Sequence, residues 1–577
     1  MHRRNSLVLA AVGVAAVLFC CYPALRPAHA QASGTAALTG QITSQEEGSM
    51  EGVLISAKRA DSTVTVTVAS DPQGRYNFPR NRLEGGQYTL RIRAAGYDLV
   101  DPGPVEVSAQ KTTTIDLKLR KTENLPAQLS NTEWLMSVPG SQEQKLGLMG
   151  CVSCHSLERI VRSQHNAAEW AQVLLRMTTY YTGSTPLRSQ KRQMVREQPR
   201  TGGQPHPAQE AQQRAGMEGG AGGGLSSKYL ASINLSQSST WQFPLKTLPR
   251  PKGRATRVII TEYDLPRPDS QVHDAIVDSE GMVWYTDFGN HHVGKLDPKT
   301  AKVVEYPLPD LKPNFPFGSL DVEEDKAGNL WFGMMVQGGI AKFDKKTQKI
   351  QSWSLPPEAN GDTAQVAMVM PWQQGVDGKM WANNVGYRGV ERLDIASGKF
   401  EIIDPYQNIK DGRAHTVYGI GADSHNNLYF NDINTEKIGR VDAKTLEVKF
   451  YDTPTPASAP RRGHMDSQDR WWFAEFRSNK VAVFDTKTER FQEWTAPTPW
   501  TQPYDVMLDK HGELWEGGMT SDRILRLDPK SGQFTEYLIP TISLNIRRVF
   551  VDNSTNPVTF WVGDNHEGHI LKVEPLD

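Results

Sequence analysis

Residues 151 to 155 read Cys-Val-Ser-Cys-His. Two thiols about one turn apart can form two thioether bonds to a porphyrin. An imidazole directly after the second thiol can then reach the iron. This spacing is the attachment signature of a c-type haem. Two other chemistries use a Cys-x-x-Cys pair. A zinc site needs further ligands, normally a second pair, and the only other cysteines, Cys20 and Cys21, lie near the N-terminus. A redox dithiol follows a strand in a βαβ pattern, which this stretch lacks. The residues predict one covalent haem c on Cys151 and Cys154, with His155 as the proximal iron ligand. Met177 is the first candidate for the distal ligand, because a thioether raises the potential and helical spacing puts it on a buried face. A plain core methionine is the alternative, and His165, Met194 and Met217 stay open as ligands.

The start of the chain fits this chemistry. Arg3-Arg4 precedes an apolar run from Leu7 to Tyr22, and Ala28-His29-Ala30 is a small-x-small cleavage site. Residues 1–30 are expected to be a secretory signal peptide. Its removal takes Cys20 and Cys21 with it and leaves no disulfide framework. The location expected is periplasmic or secreted, where haem is attached to such motifs. Net charge is −1 for the whole chain, and losing Arg3, Arg4 and Arg26 with the leader takes it to −4. That excludes nucleic acid as a partner. No later stretch is apolar enough to span a bilayer.

The positioning elements fall into three units and are mainly β. Residues 37–121 hold short alternating strands, such as Thr63-Val64-Thr65-Val66-Thr67-Val68. Even spacing of such strands predicts a small β-sandwich. The order Gly40-Gln41-Ile42, Asp71-x-x-Gly74, Gly86-Gln87-Tyr88 and Ala95-Gly96-Tyr97 resembles the carboxypeptidase regulatory-like family. That resemblance implies a carbohydrate-binding-like fold or a spacer, without catalytic residues.

Residues 124–236 are expected to form an α-helical haem unit. Asn166-x-x-Glu169 has the form of a capping box, and Trp170, Val173, Leu174 and Met177 share one helix face. A closing helix is expected over Leu225 to Asn234. The motif, the Trp-bearing helix and this last helix resemble small class I-type cytochrome c domains. Residues 186–224 change to Arg, Lys, Gln and then Gly, which reads as a flexible insertion. Residues 237–257 read as a Pro-rich linker.

Residues 258–577 repeat a phrase: Asp, two residues, Gly, two residues, Trp. It stands as Asp278-x-x-Gly281-x-x-Trp284 and Asp325-x-x-Gly328-x-x-Trp331, with later copies centred on Trp381, Tyr429, Trp472, Trp515 and Trp561. A period of roughly 43–50 residues is that of a four-stranded blade, so seven copies predict a seven-bladed propeller. Ile260 to Tyr263 looks like an outer strand without its blade, and pairing it with the last copy would close the ring. The repeat resembles the virginiamycin B lyase (streptogramin lyase) family over this whole unit. That family's activity implies a His on one innermost strand, with Glu residues and magnesium nearby, opening a cyclic depsipeptide by elimination. The positions that open the innermost strands here are His273, Leu320, Met370, Tyr418, Arg461, Tyr504 and Arg547. The paired closing positions are Asp287, Met334, Asn384, Asp432, Glu475, Gly518 and Asp564. Only His273 and Asp287 pair a base with a carboxylate in one blade, so they are the catalytic candidates, set against a structural contact. Asp287, Asp432, Glu475 or Asp564 could hold magnesium or calcium on this face.

Three functions follow as expectations. The first is an exported electron-transfer protein whose propeller takes a redox partner protein or a small-molecule substrate, as a dehydrogenase would. The second is a C–O lyase with an accessory cytochrome. The third is a non-enzymatic scaffold for a carbohydrate or a partner.

Overall fold

The computed structural model describes residues 36–191, 225–387 and 389–577. The expected signal peptide, Met194, Met217 and most of the expected 186–224 insertion lie outside the described residues.

Residues 36–121 form two packed sheets. Strand Ala36–Ser44 is central to one, pairing with Arg75–Pro79, Thr113–Thr114 and Leu117–Lys121. The other contains Leu54–Arg59, Val64–Ala69, Gly86–Arg93 and Val105–Val107. Alternation drives the packing: Leu38, Ile42, Ile55, Val66, Tyr76, Phe78 and Leu90 share one buried core.

Six four-stranded blades follow between Val272 and Leu538. The seventh is composite. Its strands Phe550–Asp552, Thr559–Gly563 and His569–Pro575 are completed by Val258–Asp264, with Ile260 opposite Val573. The repeated phrase has a direct structural cause. The Asp278 carboxylate accepts from the backbone N–H of Glu280 and Met282 at 2.9 Å and from Trp284 Nε1 at 2.8 Å. Gly281 makes the turn at φ +80°, a left-handed conformation that favours glycine. Asp509 repeats the pattern with His511, Glu513 and Trp515 at 2.8 to 3.0 Å. Asp509→Ala would strip a buried Trp Nε1 and two N–H groups of their acceptor. A loss of about 2–3 kcal/mol is expected, read as a lower unfolding midpoint.

The seventh blade does not end at its outer strand. Val258–Asp264 also pairs antiparallel with Val64–Ala69 of the sandwich, from Ile259 opposite Val68 to Tyr263 opposite Val64. One eight-stranded sheet therefore runs through both units, and the edges of Val258–Asp264 and Val64–Ala69 cover one another. The first unit is thus joined to the propeller through a shared sheet.

The helical stretch departs from expectation. Its helices are short: Asn131–Ser137, Gln142–Leu148, Glu158–Val161, Ala167–Met177 and Ser227–Ile233. Capping boxes start three of them, at Ser130, Ser141 and Asn166. Helices this short bury too little to stand alone. Their core is continuous with the propeller: Trp134, Leu148, Val152, Trp170 and Leu230 share one cluster with Phe288, Leu320, Met335, Tyr418 and Tyr504. A separate α-helical domain is thus replaced by a helical cover laid on the propeller. No described helix is long and apolar enough to cross a membrane.

Candidate functional site

The opening positions form a buried ring on the covered face. His273, Leu320, Met370, Tyr418, Arg461, Tyr504 and Arg547 are all buried. The ladder register shifts beside most of them, as between Val272 and Asp274 or Pro503 and Val506. Such bulges re-aim single side chains.

The next residue in five of the seven strands builds a second layer, which sequence reasoning missed. Arg462 donates to both Asp274 oxygens at 3.0 Å and to Asp321 at 2.9 Å. Arg548 donates to Asp321 at 2.5 Å, Asp274 at 3.2 Å and Glu323 at 2.7 Å. Asp505 lies 4.0 Å from Arg462. Burial works against the Asp274 charge, but Arg462 and His273 outweigh it and hold that carboxyl well below the usual range. The signal was present in the sequence: an acid or Arg directly follows the opening position at 274, 321, 462, 505 and 548.

The expected His273–Asp287 pair does not form. His273 Nδ1 bonds its neighbour Asp274, and Nε2 lies 3.3 Å from Tyr504 Oη. Asp287 stands opposite Val272 in the ladder and turns into its own loop. There it accepts from Gln271 N at 3.3 Å, Gly289 N at 3.0 Å and Asn290 Nδ2 at 2.9 Å. The bulge at His273 separates the two. Burial pushes His273 down to about 4 against the pull of Asp274, so the ring is neutral at pH 7. It is 0 % exposed. Above it, the Tyr418 and Tyr504 hydroxyls bond one another. The Arg461 guanidinium lies 4.1 Å from the Tyr504 ring centre and 4.4 Å from that of Phe476.

The closing acids do not converge on one ion. Asp432 holds His415 Nδ1 at 2.6 Å, and Glu475 accepts from Ser478 Oγ at 2.8 Å. Asp564 accepts from the N–H of His566 and Glu567 at 2.8 and 3.1 Å. Among the described residues, only Asp564, Glu567 and His569 bring three candidate ligand atoms within 4.8 Å of one another.

His415 also reaches Asp411 at 3.0 Å. Burial lowers its pKa, but the two carboxylates outweigh this and raise it. A histidine raised on folding stabilises fully below its unfolded value of about 6.5, and the gain fades as pH rises through the folded value. His415→Gln should therefore cost more stability at pH 5 than at pH 9, read from unfolding midpoints at both.

The Cys-x-x-Cys-His stretch lies directly on this face. Residues 151–153 make one 3₁₀ turn. Its carbonyls are held by the seventh blade. Asn545 Nδ2 donates to Val152 O at 2.7 Å, and His566 Nε2 lies 2.8 Å from the same oxygen. Arg547 and Asn565 donate to Ser153 O at 3.3 and 3.5 Å. No disulfide joins Cys151 and Cys154. Burial pushes the Cys151 thiol up to about 12 and the His155 imidazole down. His155 Nδ1 lies 3.0 Å from Ser156 O. That bond fixes the tautomer and presents Nε2 as the metal-binding nitrogen. These residues fit a covalent haem. Met177 does not lie on the buried face as expected. It is 43 % exposed at the end of its helix, one turn beyond the half-buried Val173 and Leu174. His165 also stands at the surface, 3.8 Å from Glu169.

Residues 253–527 and 407–574 match the virginiamycin B lyase family, and together they span more than half of the sequence. The chain belongs to that family. Residues 37–120 match the carboxypeptidase regulatory-like domain. Neither match reaches residues 121–252. Among solved structures, the chain is similar to virginiamycin B lyase from Staphylococcus aureus, with 24 % identity and a TM-score of 0.47 over 55 % of this chain and 99 % of that one. It is also similar to a streptogramin B lyase, with 21 % identity and a TM-score of 0.46 over 56 % and 99 %. A catalytically inactive variant of the S. aureus enzyme with quinupristin gives 22 % and 0.46 over 55 % and 99 %. These are likenesses of fold. No curated protein matches the chain. In this chain the helical segment packs against the ring of opening residues, and His273 lies against the rings of Phe288 and Tyr504.

Proposed function

We propose that this chain is an exported c-type haem protein in which a virginiamycin B lyase-family propeller holds the haem-attachment turn and takes a redox partner or substrate. The observation that carries this reading is the grip of Asn545, Arg547, Asn565 and His566 on the carbonyls of Val152 and Ser153. Cys151 and Cys154 would carry the thioethers, and His155 Nε2 would be the proximal ligand. A bound haem supplies one-electron transfer. The protein's own part is to fix the turn, to keep His155 neutral with Nδ1 tied to the backbone, and to exclude water with Phe288, Tyr418 and Tyr504. The location that suits this chemistry is the periplasm or the medium. The test is to express the full chain with export in a host able to attach haem, and to record spectra and mass. A haem band that survives denaturation supports the reading, and a mass equal to the bare polypeptide overturns it.

The second reading is a C–O lyase with an accessory haem segment. It is the reading that the family match over 253–574 favours. It requires a substrate to reach His273 or the His415–Asp432 pair, both now covered. Turnover of a cyclic depsipeptide that is lost in His273→Ala, with the haem spectrum intact, would support it over the first.

A further inference from the structure

The buried arginines of the propeller differ in one respect. Arg392, Arg462, Arg526 and Arg548 each have a carboxylate within 3.0 Å. Arg461 is 3 % exposed and has no ion pair among the described residues. Its Nε makes no hydrogen bond. Its guanidinium is instead stacked at 4.1 to 5.3 Å from the ring centres of Tyr504, Phe476 and Tyr418. A buried cation without a counter-charge is costly. The surroundings add positive charge. Arg477 is mostly buried, and burial together with Arg461 lowers its pKa. Arg547 donates to Asn545 Oδ1 at 2.7 Å and to Tyr504 Oη at 3.5 Å. Asp432 exerts a favourable charge on Arg477 but is committed to His415 and the Thr416 N–H. The phenol of Tyr504 reports the resulting field. Burial raises it, yet Arg461 and Arg547 outweigh burial and bring it below its ordinary value.

We infer that Arg461, backed by Arg477 and Arg547, anchors a carboxylate-binding site on the propeller face beneath residues 151–153. A planar guanidinium with its Nε free is suited to a carboxylate, which it can bind through two parallel hydrogen bonds. Arg547 links the site to the haem-attachment turn through Ser153 O. Two sources share this chemistry: the propionates of a haem carried by Cys151 and Cys154, or the acid group of an incoming small molecule. The site itself does not depend on the haem reading, which supplies only one of the two.

The test uses succinate as the probe, with titration calorimetry and thermal melting on the full exported chain and on its Cys151→Ala/Cys154→Ala variant. The variant is expected to bind succinate and to melt higher in its presence. Arg461→Gln on that background should weaken binding about tenfold or more, and Arg461→Lys should weaken it less. Without succinate, Arg461→Gln should melt no lower than its parent, because it removes an uncompensated buried charge. Binding by the haem-free variant alone identifies the haem propionates as the natural occupant, and binding by both forms identifies an external acid. The site is overturned if the haem-free chain does not bind succinate, or if Arg461→Gln melts lower and binds equally well. Should the wild-type chain carry no haem, succinate binding is still expected, so failure of the haem reading and failure of this site give different results.

Discussion

Replacing Arg548 with methionine is expected to lower the stability of the propeller by about 3–5 kcal/mol. Arg548 is 1 % exposed and is the shared donor to Asp274, Asp321 and Glu323. Trp372 Nε1 also donates to Glu323, at 2.8 Å, but it carries no charge. The substitution leaves three buried carboxylates against Arg462 alone, and that is the costly half of any buried ion pair. Burial already pushes Asp321 up to about 8 despite the pull of Arg462 and Arg548. In the variant the protonated form of Asp321 is favoured further. A carboxyl whose folded pKa lies above its unfolded one destabilises as pH rises. The deficit of the variant should therefore shrink from pH 8 to pH 5. Denaturant midpoints at the two values measure this. A deficit below about 1 kcal/mol, typical of exposed pairs, would mean that the network is not holding the channel. Asp321→Asn added to Arg548→Met should recover part of the loss, because the two residues share one interaction.

Much of this architecture was legible because it is written locally. The Asp-x-x-Gly turn with its Trp is legible since one carboxylate must satisfy two N–H groups and an indole within seven residues. Strand 260–263 could be assigned to the last blade since a closed ring needs exactly that missing piece. What was not legible arises between segments distant in sequence. Nothing in Val64–Ala69 announces that its free edge will be Val258–Asp264, because alternation specifies which face is buried and not which neighbour lies alongside. His273 and Asp287 have the spacing of a cross-strand pair, yet a one-residue bulge parts them. The ring of opening residues was readable by phrase position, and the channel layer one residue later obeyed the same rule. Its signal lies in the alternation of charge, which hydrophobic periodicity does not carry. The helical segment was assigned from its capping boxes and apolar face. Its burial against the propeller depends on Phe288, Tyr418 and Tyr504, which lie in separate blades distant in sequence.

The Cys151→Ala/Cys154→Ala variant is expected to lose all covalently held haem while the propeller keeps its fold. The thioethers need both sulfurs, and no other cysteine lies among the described residues. Neither side chain joins blade to blade, so the loss should be spectroscopic with only a small change in melting. The order of events is the sharper consequence. A thiol attacks or adds as thiolate, and burial pushes Cys151 up to about 12. The turn that carries it is pinned through two carbonyls by four side chains of the seventh blade. In the folded chain this thiol is protonated and only partly exposed. On the haem reading proposed above, attachment is therefore expected to precede the settling of the helical segment on the propeller. Adding reduced haem to the folded, haem-free chain should leave nothing attached after denaturation, whereas the chain exported alongside an attachment system should retain it. Asn545→Ala with His566→Ala, which removes the stronger grips on Val152 O, should narrow that difference by letting the segment lift. Equal attachment by folded and exported chains would show that the turn is open in solution, and that the propeller does not control access to Cys151.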